Sequence, residues 1–213
     1  MVRVKRYIVG VDEAGRAAFA RRASPFIHRK IVGVDEVGRG SLAGPVVAAA
    51  VRIRDQRRFP CDEVRDSKEL TNAQRRRILV RIKSSCSIRY GIVSHRLIDG
   101  LGIQAANVLA VDLALQPFCT DTHVLHADFI ASFDKLTSLS KAVALHVFGE
   151  SVIPEIAAAS IAAKVFRDDI MLNLDRQYPV YRFAQHKGYA TEQHVGALRR
   201  FGRSSVHRRS FGF

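Results

Sequence analysis

Ile31-Val32-Gly33-Val34-Asp35-Glu36-Val37-Gly38-Arg39-Gly40-Ser41-Leu42-Ala43-Gly44-Pro45 is the stretch on which the reading of this chain turns. Its apolar head predicts a buried β-strand, and that strand ends in two adjacent carboxylates, Asp35 and Glu36. A buried, unpaired carboxylate costs several kcal/mol, so acids at a strand end face a cleft rather than a core. Gly38-Arg39-Gly40 follows as a cationic loop whose backbone can approach a ligand closely, because glycine brings no side chain. The Gly44-Pro45 turn then leads into a second apolar run, Val46–Ile53, which predicts an antiparallel partner strand. Taken alone, an Asp-Glu pair also reads as a solvated strand end running into a turn. Beside a glycine-lined cationic loop, the pair points to a divalent metal acting on a phosphodiester.

The stretch has a near-copy upstream. Residues 8–16, Ile-Val-Gly-Val-Asp-Glu-Ala-Gly-Arg, match residues 31–39 except that Ala14 stands where Val37 does. A unit that occurs twice is not a solenoid. The copies diverge after the arginine, into Ala17-Ala18-Phe19 in the first and Gly40-Ser41-Leu42 in the second. Only the second supplies the second glycine, the Gly-Pro turn and a strand with which to pair. Catalysis is therefore assigned to Asp35 and Glu36. Asp12 and Glu13 fall in an N-terminal extension, residues 1–29, appended to a domain of residues 30–213. The two strands could compete for one slot in a sheet, and the second should win it, because its short connection to residues 46–53 costs little closure entropy.

A chain of 213 residues allows one domain with a sizeable core. Apolar residues at 47% and charged residues at 25% are ordinary globular composition, which excludes a disordered or fibrous class. The balance of 34 basic against 20 acidic residues, a net +14, favours a polyanionic partner, nucleic acid above all, although such a surplus can also serve solubility. Cys61, Cys86 and Cys119 are odd in number and lack metal-type spacing, so they read as free thiols in a reducing compartment. No apolar run has membrane-spanning length and no signal-peptide core is evident, so a cytoplasmic protein without membrane association, and a monomer, is expected.

Further elements follow in alternation. Strands are predicted at 87–94, at 122–128 ending in Asp128, and at 142–148. Helical spacing is predicted over 98–116, over an alanine-rich 154–178 and over an amphipathic 191–201. A strand meander followed by strand–helix alternation predicts a mixed α/β sheet. By itself Asp128 reads equally as a turn residue, Glu150 as an acid suited to a helix start, and Tyr189 as a core aromatic beside a glycine turn. Glu155 and Asp168 read as a first-turn acid and a helix-surface acid.

Residues 31–51 resemble the first signature of ribonuclease HII, the type-2 ribonuclease H. The run Gly149-Glu150-Ser151-Val152-Ile153-Pro154-Glu155-Ile156-Ala157-Ala158-Ala159-Ser160 and its continuation to Asp168 resemble the second. Phe183-Ala184-Gln185-His186-Lys187-Gly188-Tyr189-Ala190-Thr191 with Val206-His207-Arg208-Arg209-Ser210-Phe211 resemble the last, and Asp66-Ser67-Lys68-Glu69-Leu70 matches a further segment. The resemblance covers about residues 30–213. It implies a ribonuclease H-like mixed sheet of five strands flanked by helices, with a C-terminal helical segment.

The resemblance also implies chemistry. Asp35, Glu36, Asp128 and Glu150 would be the catalytic carboxylates, holding two Mg²⁺ or Mn²⁺ ions with substrate bound. The enzyme would hydrolyse the RNA strand of RNA–DNA hybrids and nick duplex DNA 5′ of embedded ribonucleotides, leaving 3′-hydroxyl and 5′-phosphate ends, a task of DNA replication and repair. Gly38, Arg39, Gly40 and Tyr189 would recognise the ribonucleotide, with Lys68 as a phosphate contact, and the charges of Lys187, Arg208 and Arg209 by themselves read as further phosphate contacts. Two positions depart from the family pattern. Phe129 follows Asp128 where glycine is usual, and Glu150 stands where aspartate is usual, one methylene longer. That second departure keeps a different class of function in play, a catalytically weak relative that grips hybrids without efficient cleavage.

Overall fold

The computed structural model describes residues 7–9, 30–64, 70–118, 123–128, 143–146 and 153–213. Its strands are β1 (Tyr7–Val9), β2 (Lys30–Val37), β3 (Val46–Ile53), β4 (Cys86–Val93), β5 (His123–Asp128) and β6 (Val143–His146). Its helices are α1 (Asn72–Ser85), α2 (His95–Leu101), α3 (Ile103–Leu115), α4 (Pro154–Gln177), α5 (Phe183–His186) and α6 (Glu192–Phe201). The strands form one mixed sheet in the order β1-β6-β5-β2-β3-β4. β2, β3 and β4 run as an antiparallel meander, while β2–β5, β5–β6 and β6–β1 pair in parallel.

Among the described residues the sheet has six strands where five were expected. The sixth is Tyr7–Val9, which runs into the first copy of the repeated stretch at Ile8 and Val9 and pairs with β6 at the sheet edge. An edge strand leaves a row of backbone N–H and C=O groups open to any strand that can lie beside it, and β1 uses that edge of β6. The second copy holds the central position beside β3, as the short connection between them requires.

Residues alternate between the two faces of β3. Val46, Ala48 and Ala50 pack with Val108, Ala110, Val111 and Ala114 of α3. Ala49 and Val51 pack with Ile78 and Ile82 of α1 and with Ala158, Ile161 and Ala162 of α4. Small residues let helices and sheet approach closely: a Cβ at Gly33 would overlap the Glu155–Ile156 backbone of α4, and one at Gly91 would overlap the Ala110 carbonyl of α3. A third cluster, Leu42, Ala43, Met171, Tyr181, Phe183 and Leu198, fastens the C-terminal segment to the loop after β2.

Two features of the helices differ from the expectation. The helix expected over 98–116 is broken in two at Gly102 (φ +77). The α1 helix was not anticipated, although its start carries a capping box: Gln74 N donates to Thr71 Oγ1 at 3.3 Å and Thr71 N donates to Gln74 Oε1 at 2.8 Å. Among the described residues no helix is long and apolar enough to cross a membrane, and Cys61 and Cys86 are free thiols. Cys119 lies outside the described residues.

Candidate active site

Asp35 and Glu36 are half-buried near the end of β2. The parallel register matches Val34 with Ala127, so Asp128, the next residue and last of β5, comes level with Asp35 at the ends of neighbouring strands. Alternation sends Asp35 to the face of its partner Ala49, the α4 side, and Glu36 to the face of Ala48, the α3 side. Glu36 N donates to Asp35 Oδ1 at 2.8 Å. Arg39 donates from its guanidinium to Glu36 Oε1 and to Gln104 Oε1 of α3, each at 3.3 Å. The Glu36 side chain is only 9% exposed and that of Arg39 35%, so the arginine offers part of its charge to a ligand while the glutamate holds it in place.

The loop after β2 is built on two buried arginines. Arg208, 1% exposed, donates to the carbonyls of Gly38 (2.7 Å), Arg39 (2.8 Å) and Gly44 (3.0 Å). Arg167 of α4, fully buried, donates to the carbonyls of Pro45 (2.9 Å), Lys187 (2.9 Å) and Ala43 (3.2 Å) and to Ser41 Oγ (2.8 Å). Burial lowers the pKa of both guanidiniums, Arg208 to about 9, and the hydrogen bonds offset part of that desolvation. Gly38 (φ +92) lies directly over Arg167, whose Nε a Cβ there would overlap.

Tyr189 is carried to the same place by backbone pairing. Ser41 and Tyr189 form an antiparallel bridge, and Leu42 N donates to the Gly188 carbonyl at 2.7 Å. The Arg167 guanidinium sits 5.5 Å from the centre of the half-buried Tyr189 ring. Lys187 adopts a left-handed conformation (φ 52), and its ammonium donates to the Ala184 carbonyl. Desolvation lowers its pKa first, with the nearby charges of Lys164 and Arg76 adding to the effect.

Comparison with known proteins places the chain. The family profile described as Ribonuclease HII matches residues 32–212, starting inside the second copy of the repeated stretch. Ribonuclease HII of Nitrosospira multiformis is 45% identical over 206 residues, covering 96% of this chain and 89% of the relative. That of Desulfitobacterium hafniense is 43% identical over 207 residues, covering 96% and 68%.

The chain belongs to the ribonuclease HII family.

It is accordingly a ribonuclease H, an endoribonuclease. Solved structures agree in fold. The ribonuclease HII of Archaeoglobus fulgidus, solved with PCNA, superposes with a TM-score of 0.75 at 22% identity, covering 86% of this chain and 96% of that one. Ribonuclease H2 of Pyrococcus horikoshii gives 0.70 at 24%, covering 85% and 93%.

Within this ribonuclease HII framework the structure gathers Asp35, Glu36, Gly38, Arg39, Gly40, Lys187 and Tyr189 around one loop. Asp128 is placed by its backbone, and Glu150 and Lys68 lie outside the described residues. Two expectations need correction. Arg208 is not an exposed phosphate contact, because its guanidinium is buried and occupied by three carbonyls. Asp168 is not a helix-surface acid: it is 3% exposed and accepts from Lys164 Nζ at 2.8 Å. Arg167 and Gln104 went unnoticed in the sequence. For Arg167 a signal existed, since it lies on the helical stripe of Ser160, Ala163 and Met171, all buried. Asn107, one turn beyond Gln104, is fully buried, and its amide has no hydrogen-bond partner among the described residues.

Proposed function

We propose that this ribonuclease H cuts the RNA strand of RNA–DNA hybrids and nicks duplex DNA on the 5′ side of embedded ribonucleotides, leaving 3′-hydroxyl and 5′-phosphate ends. The observation that carries the reading is the joint placement of the Asp35–Glu36 strand end, the level end of β5 at Asp128, and a glycine loop bridged to Tyr189.

Two divalent ions, Mg²⁺ or Mn²⁺, belong to this reading. Among the residues whose side chains are described no group of three His, Cys, Asp or Glu is placed to hold a metal ion, and Asp128 and Glu150 stand outside that set. The donors at the strand ends are carboxylates, which suit a hard, oxygen-seeking cation. Asp35, Glu36, Asp128 and Glu150 would hold the ions, which when bound supply Lewis-acid stabilisation of charge on the phosphodiester and a more acidic water.

The remaining work falls to the chain itself. Arg39, held by Glu36 and Gln104, presents a fixed positive charge to a phosphate. The loop backbone and the Tyr189 hydroxyl read the 2′-hydroxyl that separates RNA from DNA. Lys187 adds charge near the backbone, as Lys68 would from its own segment, and the net +14 draws the polyanion in through counterion release. Residues 30–213 act as the catalytic domain and residues 1–29 as an extension, in a monomer working in the cytoplasm, a placement suited to free thiols.

The test is single-turnover cleavage of a duplex carrying one ribonucleotide, with Mg²⁺, with Mn²⁺ and with chelator, followed by mapping of both ends. A metal-dependent cut 5′ of the ribonucleotide is expected. Cleavage in chelator, or a 3′-phosphate product, would overturn the reading, and tight hybrid binding without cleavage would favour the weak-relative alternative.

A further inference from the structure

Arg208 and Arg167 are two buried cations within one loop region, and neither hydrogen-bonds a carboxylate among the described residues. Removing a guanidinium from water costs several kcal/mol unless its donors are taken up. Here the acceptors come almost entirely from one short stretch. The carbonyls of Gly38, Arg39, Ala43, Gly44 and Pro45 all turn inward to the two heads.

That orientation has a consequence for the other side of the loop. The described backbone contains no cis peptide bond, so the C=O and N–H of each peptide point in opposite directions. With the Gly38 and Arg39 carbonyls directed at Arg208, the N–H groups of Arg39 and Gly40 are directed away from it. The outer side is open: Gly40 is exposed and has no atom within 4 Å of where a Cβ would stand. Two successive outward amides form a cradle for an oxygen, and the Ser41 bridge sets Tyr189 beside it.

We infer that Arg208, with Arg167 behind it, is a positioning residue that orients the Arg39 and Gly40 amides toward a substrate oxygen. The inference rests on the proposed reading that this loop recognises the ribonucleotide. Arg208 touches no substrate. Its guanidinium spans three carbonyls from one rigid plane, which a single ammonium cannot do, so the loop is oriented before substrate arrives rather than by it.

The experiment compares Arg208→Lys with the parent chain in two measurements. The first is the ratio of single-turnover cleavage rates on a one-ribonucleotide duplex and on an all-RNA/DNA hybrid, with the melting temperature as a folding control. The ratio should fall roughly tenfold to a hundredfold in a variant that still melts cooperatively, the scale expected for an ångström-sized misplacement. The second is the ¹⁵N heteronuclear NOE of the Arg39 and Gly40 amides in the free protein. Both should drop in Arg208→Lys while β3 amides keep their values, a change that a general loss of stability would not confine to the loop. An unchanged ratio in the folded variant overturns the inference, as do unchanged loop amides. A parent that does not cleave the one-ribonucleotide duplex overturns the proposed function instead, and the NOE comparison then decides the present inference alone. If Arg208→Lys does not fold, Phe211→Leu replaces it, removing the ring 5.0 Å from the guanidinium. The same two changes are expected there, and parental values for both overturn the inference.

Discussion

His207 and His194 are joined Nε2 to Nε2 across 3.0 Å, and one arrangement of protons satisfies both neutral rings. Ser204 N donates to His207 Nδ1 at 2.9 Å, which leaves the His207 proton on Nε2. His207 therefore donates to His194 Nε2, and His194 Nδ1 donates to the Tyr189 carbonyl at 2.9 Å. His186 lies against His194 with ring centroids 4.4 Å apart; it accepts from Gly188 N at 3.2 Å and donates from Nε2 to the Tyr181 carbonyl at 2.8 Å. Three neutral histidines thus hold the backbone of the segment that presents Tyr189.

This arrangement predicts an acid-sensitive fold. Burial lowers all three pKa values, with the charges of neighbouring histidines, Lys187 and Arg203 adding to it, and His207 falls from 6.5 to about 4. Below pH 6.5 the unfolded chain takes up protons that the folded chain refuses. Stability is therefore full above about pH 6.5 and is lost as pH falls toward 4, on the order of a few kcal/mol across the window. Denaturant titrations at pH 7.5, 6, 5 and 4 check it, and a flat stability between pH 6.5 and 4 would show that the histidines titrate normally.

Asp35→Asn keeps the shape of the strand end and removes a metal-holding charge. Cleavage of a one-ribonucleotide duplex should drop roughly a thousandfold or more, with hybrid affinity within a few-fold of the parent. Asp12→Asn, in the first copy, should be nearly silent. Comparable losses in the two variants would mean that the copies were assigned the wrong way round.

The two loop glycines should respond differently. Gly38→Ala forces an L side chain to φ +92 and into Arg167, a cost of roughly 2–4 kcal/mol from backbone strain and overpacking. Gly40→Ala meets no neighbour within 4 Å. It should leave the melting temperature nearly unchanged, yet slow cleavage because its methyl stands where substrate approaches. Equal melting temperatures for the two alanine variants would contradict the packing described for Gly38.

The central strands and the long alanine-rich helix were legible because their apolar periodicities match the faces they bury. The break at Gly102 was not, since one glycine inside a helical pattern is compatible with an unbroken helix, and α1 was overlooked despite its Thr71–Gln74 capping box. The carboxylates and the glycine loop stood out as local motifs. Arg167 did not, and Arg208 was read as a phosphate contact, because an arginine reads as surface charge until the fold supplies carbonyls more than 120 positions away in the chain. The histidine chain was hidden for a different reason: the tautomers depend on Ser204, Tyr189 and Tyr181 backbone atoms whose positions no spacing rule specifies.

Glu150→Asp should raise the Mg²⁺-dependent rate or leave it unchanged, if Glu150 occupies the fourth ligand position with an arm one methylene too long for octahedral Mg²⁺. Mn²⁺ should narrow the gap between the variants. Single-turnover rates with each ion decide it. Parental activity in Glu150→Ala would remove Glu150 from the ligand set.

Tyr189→Phe removes one hydroxyl and leaves the ring, its contact with Arg167 and the Ser41 bridge intact. Folding should therefore be unaffected, with a melting temperature within a degree or two of the parent by the small scale of surface-type changes. Loss of a hydrogen bond to the 2′-hydroxyl should slow cleavage at a single embedded ribonucleotide by roughly tenfold to a hundredfold. The effect should be smaller on a continuous hybrid, where neighbouring ribonucleotides offer alternative registers. Tyr189→Ala adds loss of the ring and should lower both activity and stability. The comparison that decides the role is rate per folded molecule against melting temperature: a phenylalanine variant with parental turnover would assign Tyr189 to packing alone.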